Sequence, residues 1–99
     1  MKPSQLSELA SAELAEAVRW YEERRPGLGG RFFDAVNHAV ELIEAHPEIG
    51  VARTGRLPNR QLVVTGFPYK VVYRIRETDL YVVAVAHTSR RPNYWKHGR

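Results

Sequence analysis

Near Arg60 the apolar repeat of this chain shortens from about 3.6 residues to about 2. A helical half therefore precedes a sheet half, the pattern of an α+β domain. In the first half Leu14, Ala17, Val18 and Tyr21 recur at helical spacing, with Glu16, Arg19 and Glu23 opposite. Ser11 is the expected N-cap, and Glu13 falls in the first turn, where the positive helix end favours its charge. Pro26 and Gly27 stop this helix near Arg25. A second helix is expected from Gly29 to His46. Phe32, Val36, Ala39, Val40 and Ile43 form its stripe, Phe33 and Leu42 widen it, and Pro47 ends it. The short gap between the two predicts an antiparallel helical hairpin.

In the second half, Gln61 to Thr65 reads as a strand and Gly66-Phe67-Pro68 as a turn. Tyr69, Val71, Tyr73 and Ile75 then share one face, while Lys70, Val72, Arg74 and Arg76 share the other. Glu77-Thr78-Asp79 makes a tight connection to Leu80–Ala86, a run so apolar that it reads as the most buried, central strand. The opening stretch, Pro3 to Leu9, fits either a further strand or a backward extension of the first helix. The expected fold is a small antiparallel sheet of three to four strands with the helical hairpin on one face, in the order β-α-α-β-β-β. It forms a single domain over residues 1–99. Val18, Tyr21, Val36, Val40, Ile43, Val71, Tyr73, Val83 and Val85 are its expected core.

Charge divides along the same line. Residues 1–49 carry five Lys/Arg against nine Asp/Glu, a net of −4; residues 50–99 carry ten against two, a net of +8. The basic half, with Lys70, Arg74 and Arg76 on one sheet face, should attract a polyanion or an acidic protein surface. At 43% hydrophobic over 99 residues the chain builds one core without help from disulfides, since it has no cysteine. That absence also excludes a thiolate nucleophile and suits a cytoplasmic protein. No apolar run follows Lys2, so neither a signal peptide nor a membrane span is expected.

The densest polar cluster, His87-Thr88-Ser89-Arg90-Arg91-Pro92-Asn93-Tyr94-Trp95-Lys96-His97, begins where the apolar strand ends. Arg90 and Arg91 suit phosphate oxygens, Tyr94 and Trp95 suit stacking, and His87 suits proton transfer. Packing of the aromatic tail on the sheet edge is the competing reading. Lys70 and Arg74, about 13 Å apart at strand spacing, either span neighbouring phosphates or decorate a solvated face. Arg53, Arg56 and Arg60 flank a Gly/Pro loop and would extend a basic patch. His38 and His46 lack a second ligand one helical turn away, and Asp34 beside His38 reads as surface decoration. No phosphate-cradling glycine loop follows a strand, and the basic half lacks the converging acids of a two-metal nuclease. No cofactor or metal is expected.

Three segments together resemble the RelE/ParE toxins of type II toxin–antitoxin modules. Ala17-Val18-Arg19-Trp20-Tyr21-Glu22-Glu23-Arg24-Arg25-Pro26-Gly27-Leu28-Gly29 is similar to their first-helix signature. Phe67-Pro68-Tyr69-Lys70-Val71-Val72-Tyr73-Arg74-Ile75 resembles their central strand. Val85-Ala86-His87 with Arg90-Arg91-Pro92 and Tyr94-Trp95 resembles the closing strand and tail. The resemblance implies a toxin neutralised by a cognate antitoxin in a hetero-oligomer, the free toxin being a monomer or weak dimer. Members divide between ribosome-dependent cleavage of mRNA and poisoning of DNA gyrase. For the RNase branch, the resemblance would assign catalysis to Lys70, His87, Arg91 and Tyr94. However, Gln61-Leu62-Val63-Val64-Thr65 lacks the lysine pair that branch carries, and the Trp-Tyr-Glu-Glu-Arg-Arg-Pro-Gly-Leu-Gly hairpin is more typical of the ParE-like branch. The expectation is therefore a gyrase-directed toxin that binds partners through Arg60, Lys70, Arg74, Arg90, Arg91, Tyr94 and Trp95. The alternatives are a ribosome-dependent endoribonuclease acting on mRNA, and a non-catalytic nucleic-acid-binding domain.

Overall fold

The structure, a computed structural model, describes residues 2–52 and 58–89. Arg53, Arg56, Arg90, Arg91, Tyr94 and Trp95 lie outside the described residues. The elements are β1 (Ser4–Leu6), α1 (Glu8–Arg24), α2 (Leu28–Ala45), β2 (Val51–Ala52), β3 (Asn59–Val63), β4 (Tyr69–Ile75) and β5 (Leu80–His87). They build one sheet in the order β1-β5-β4-β3-β2. The sheet has five strands rather than three to four, and it is mixed, because β1 pairs parallel to β5 while the other pairs are antiparallel. The extra strand is β2, two residues laid against Arg60 and Gln61. β3 begins two residues earlier than the alternation suggested and ends at Val63.

Both readings of the opening stretch hold in part: the chain is a strand to Leu6 and a helix from Glu8. The N-cap is Ser7, not Ser11. Its hydroxyl oxygen accepts the Ala10 N–H at 2.9 Å and its proton goes to the Val83 carbonyl at 2.7 Å. Ser11 offers only the local bond, so the tertiary partner decides which serine begins the helix. Glu13 consequently sits beyond the first turn.

Cross-strand pairs define the two sheet faces. Leu62, Val71, Tyr73, Leu80, Val82 and Val85 face the helices and pack with Phe32, Val36, Ala39 and Ile43 of α2. α1 contributes Ala10 and Ala17, both buried, and small side chains let it lie close over β5. Full burial of a side chain such as Phe32 contributes about 1.5–3 kcal/mol. Val18, Tyr21 and Val40, expected to be buried, are only half-buried, because they stand at the rim of the helix layer.

On β5 the register slips by one. Val72 opposes Ala84 but Tyr73 opposes Val82, leaving Val83 as an extra residue. Val83 and Ala84 therefore both turn to the outer face, where they pack with Val72, Leu9 and Tyr81. The outer face is thus not the plain basic plate that alternation implied. An apolar strip separates Lys70 from Arg74, which explains why Leu80–Ala86 reads as apolar on both sides.

Two local devices fix the connections. At the helix corner, the Glu22 carboxylate accepts the Gly27 and Gly29 N–H groups at 2.9 and 3.0 Å. A Cβ at Gly29 would stand 2.5 Å from the Val18 carbonyl oxygen, so only glycine allows this crossing. After α2, the Tyr73 hydroxyl donates to the Pro47 carbonyl at 2.7 Å and accepts the Gly50 N–H at 2.9 Å.

Candidate partner-binding groove

Tyr21 of α1, Phe32 of α2, Phe67 of the turn and Tyr69 of β4 stack into one aromatic wall, with ring centroids 4.8–6.2 Å apart. His87 continues it, edge to face with Tyr69 at 5.1 Å. Trp20 extends it on the other side, 5.1 Å from Tyr21 and half exposed, with the Arg24 guanidinium 3.7 Å over its ring. Four sequence segments therefore meet here: Trp20-Tyr21, Phe32, Phe67-Pro68-Tyr69 and His87.

Between α1 and the end of β5 this wall borders a groove of about 560 Å³, whose lining includes Glu13, Glu16, Trp20, Tyr69, Val85 and His87. Its walls are mostly carbon, and its charged groups among the described residues are carboxylates. Glu13 accepts the Val85 N–H at 2.9 Å. That amide faces away from β4 because Val71 and Val85 form a non-hydrogen-bonded pair in the ladder. β1 ends at Leu6, opposite Val82, so among the described residues no strand meets the β5 edge away from β4 beyond that point. A side chain takes the place of a strand there.

Burial raises the pKa of Tyr69, and the neighbouring Tyr21, Glu13 and Glu16 push it the same way. Burial likewise raises Tyr21. Both hydroxyls are therefore protonated donors at neutral pH rather than bases. His87 Nδ1 receives the Ser89 N–H at 3.1 Å and lies 2.8 Å from the Ser89 hydroxyl, which fixes the turn leaving β5.

The remaining residues singled out from sequence are dispersed. Lys70 pairs with Ala86 and Val63 on the outer face, whereas His87 pairs with Tyr69 on the helix face, so the sheet stands between Lys70 and His87. The Arg60 guanidinium is turned inward, donating to the Glu48 and Gly50 carbonyls at 3.2 and 2.9 Å. Arg74 donates through Nε to Asn59 at 3.3 Å, and its guanidinium lies 5.8 Å from the Tyr81 ring centre. Arg76 forms a two-pronged ion pair with Asp79, both bonds 2.6 Å, which holds the Asp79 carboxyl below its ordinary pKa. Arg90, Arg91, Tyr94 and Trp95 lie outside the described residues. Sequence reasoning missed Glu13, Glu16, Trp20 and Tyr69 as groove residues. The adjacent aromatics Trp20-Tyr21 at the end of a helix were the available signal, since one helix face buries only one of the two.

A two-helix hairpin over a mixed sheet, open at one end into an aromatic groove, defines a small α+β domain. Its sequence matches the ParE toxin of type II toxin–antitoxin system, parDE, over residues 5–92. The chain belongs to this family and is the toxin component of a type II toxin–antitoxin system. Among solved structures it is similar to the chromosomal ParDE TA system from P. aeruginosa, with a TM-score of 0.74 and 16% sequence identity over 88% of this chain and 96% of that one. A comparison with curated proteins gives no match.

Proposed function

We propose that this toxin arrests growth by acting on DNA gyrase, without covalent chemistry of its own, and that a cognate antitoxin silences it by occupying the aromatic groove. Gyrase inhibition is the known activity of the ParE family, to which residues 5–92 assign the chain. The observation that favours this over mRNA cleavage is the separation of Lys70 from His87 by the sheet. An endoribonuclease needs cationic and proton-transfer groups around one phosphate. Arg60, a further cation named from sequence, is engaged with backbone carbonyls instead. No helix among the described residues is long and apolar enough to cross a membrane. Action in the cytoplasm, on gyrase and its DNA, is part of the same proposal. So are a free toxin that is monomeric or weakly dimeric, and a contribution of Arg90, Arg91, Tyr94 and Trp95 to target binding.

Induction of the chain in growing cells tests the target. DNA breaks and the SOS response within minutes, with mRNA intact, are the expected result. Codon-phased mRNA cuts would overturn the reading in favour of a ribosome-directed nuclease.

A further inference from the structure

Among the described residues the groove carries a charge opposite to that of the sheet half as a whole, and one of its sides is an open strand edge. Tyr69 and His87 form a non-hydrogen-bonded pair, shown by the Thr88 N–H bonding across to the Pro68 carbonyl at 2.9 Å. The N–H and C=O of His87 therefore point away from β4, to the same side as the Val85 N–H that meets Glu13 of α1. The Val85 C=O points there too. Among the described residues no partner meets the His87 N–H. Val85 and His87 both line the groove, so its floor is edged with one donor and two acceptors at strand spacing. The Glu16 carboxylate and the rings of Trp20 and Tyr69 line the same groove. Glu13 and Glu16, which line the groove beside Tyr69, act with its burial in raising the Tyr69 pKa.

We infer that the groove takes an extended segment of the antitoxin as a sixth strand on β5, anchored by a lysine or arginine side chain laid between Glu16 and the Tyr69 and Trp20 rings. The inference rests on the toxin–antitoxin reading. It fixes the chemistry of the contact: the anchoring segment is cationic here, although the +8 charge of residues 50–99 would by itself suggest an acidic partner. Extension rather than helix follows from the edge, which offers backbone groups to a strand and nothing equivalent to a helix. The cationic anchor follows from carboxylates beside aromatic faces, a pairing that favours Lys or Arg through charge and ring quadrupole together.

The test uses the full chain co-expressed with the product of the adjacent reading frame, and compares dissociation constants of the purified complex. His87→Pro removes the outward N–H without touching the β4 ladder, while His87→Ala removes the ring and keeps that N–H. The proline variant should bind about threefold to tenfold more weakly than the alanine variant. Glu16→Lys should weaken binding about tenfold or more and flatten its salt dependence. Where His87→Pro fails to fold, amide exchange reads the same contact in the unaltered protein: the His87 N–H should gain protection on complex formation. If the complex forms but His87 stays unprotected and Glu16→Lys binds as tightly as the original, the groove assignment is wrong while the toxin–antitoxin reading stands. If the original chain captures no partner from the adjacent frame, the toxin–antitoxin reading itself fails, and this inference with it.

Discussion

Tyr73 is fully buried, yet its hydroxyl is satisfied twice, by the Pro47 carbonyl and the Gly50 N–H. Arg60 holds the same loop through the Glu48 and Gly50 carbonyls, so two side chains from neighbouring strands close the passage from α2 into β2. Tyr73→Phe leaves one buried donor without an acceptor and one acceptor without a donor. It should cost about 1–3 kcal/mol, read as a lower urea midpoint with unchanged slope. Burial raises the pKa of Tyr21, Tyr69 and Tyr73 alike, the Gly50 bond and Arg60 only partly opposing it at Tyr73. The folded state therefore keeps these protons to higher pH than the unfolded chain, whose tyrosines titrate near pH ~10. Their contribution to stability is complete below that value and is lost as pH rises through the folded values. Urea midpoints taken from pH 8 upward should hold level and then fall above about pH 10. Tyr73→Phe should show a shallower fall; an equal one would mean that Tyr73 is not among the responsible groups.

At the scale of elements, the helix corner joins charge and shape in a single turn. Gly29→Ala drives a Cβ toward the Val18 carbonyl and should cost about 1–3 kcal/mol, because a backbone atom cannot yield as a side chain can. Glu22→Ala removes the acceptor of two helix-entry N–H groups and should cost about 0.5–2 kcal/mol. Since Glu22 also lies against the position where the added Cβ would stand, the two losses should be less than additive in a double-mutant cycle. This corner gives the Glu-Glu-Arg-Arg-Pro-Gly-Leu-Gly run its physical meaning. α2 was legible because it has one buried stripe at its own period, Phe32, Val36, Ala39 and Ile43, and β4 because Lys70, Arg74 and Arg76 mark one face against Tyr69, Val71, Tyr73 and Ile75 on the other. β1 was legible only as one of two readings of the opening stretch, and β2 not at all, being two residues long, too short for any period to register. The pairing of β1 is set by β5, remote in sequence. The bulge at Val83 was hidden for a related reason: in a strand buried on both sides, an extra apolar residue leaves no mark in the pattern. Of the groove, the sequence offered His87 and the resemblance, while Glu13 looked like an ordinary first-turn acid.

For the whole molecule, the division of charge by halves does not carry over into a division of surfaces. The helices are acidic and the sheet half is basic in sum, yet the described end of the sheet half meets α1 in a groove ringed by Glu13 and Glu16. Arg60, Arg74 and Arg76 each have a bond within the chain, so much of the formal charge is already engaged. Neutralising Lys70 as Lys70→Gln should therefore leave stability within about 0.5 kcal/mol, as for other surface changes remote from a buried network. Toxicity in the induction assay then reports on that one cation, and full toxicity would remove it from the target surface. Ser7 carries a consequence of another kind. Its hydroxyl bonds to Val83, 76 positions along the chain, and β1 beside it pairs with the opening of β5. Such a contact closes one of the longest loops among the described residues, so it should gain little until the hairpins and helices between have formed. Ser7→Ala also removes the cap of α1, a local bond, so the loss of the Val83 contact is the part that should appear as faster unfolding on a chevron plot, and any slower refolding measures the cap. On that outcome the first strand made is the last to dock, a clasp on the finished fold that governs how long the toxin stays folded more than how fast it forms.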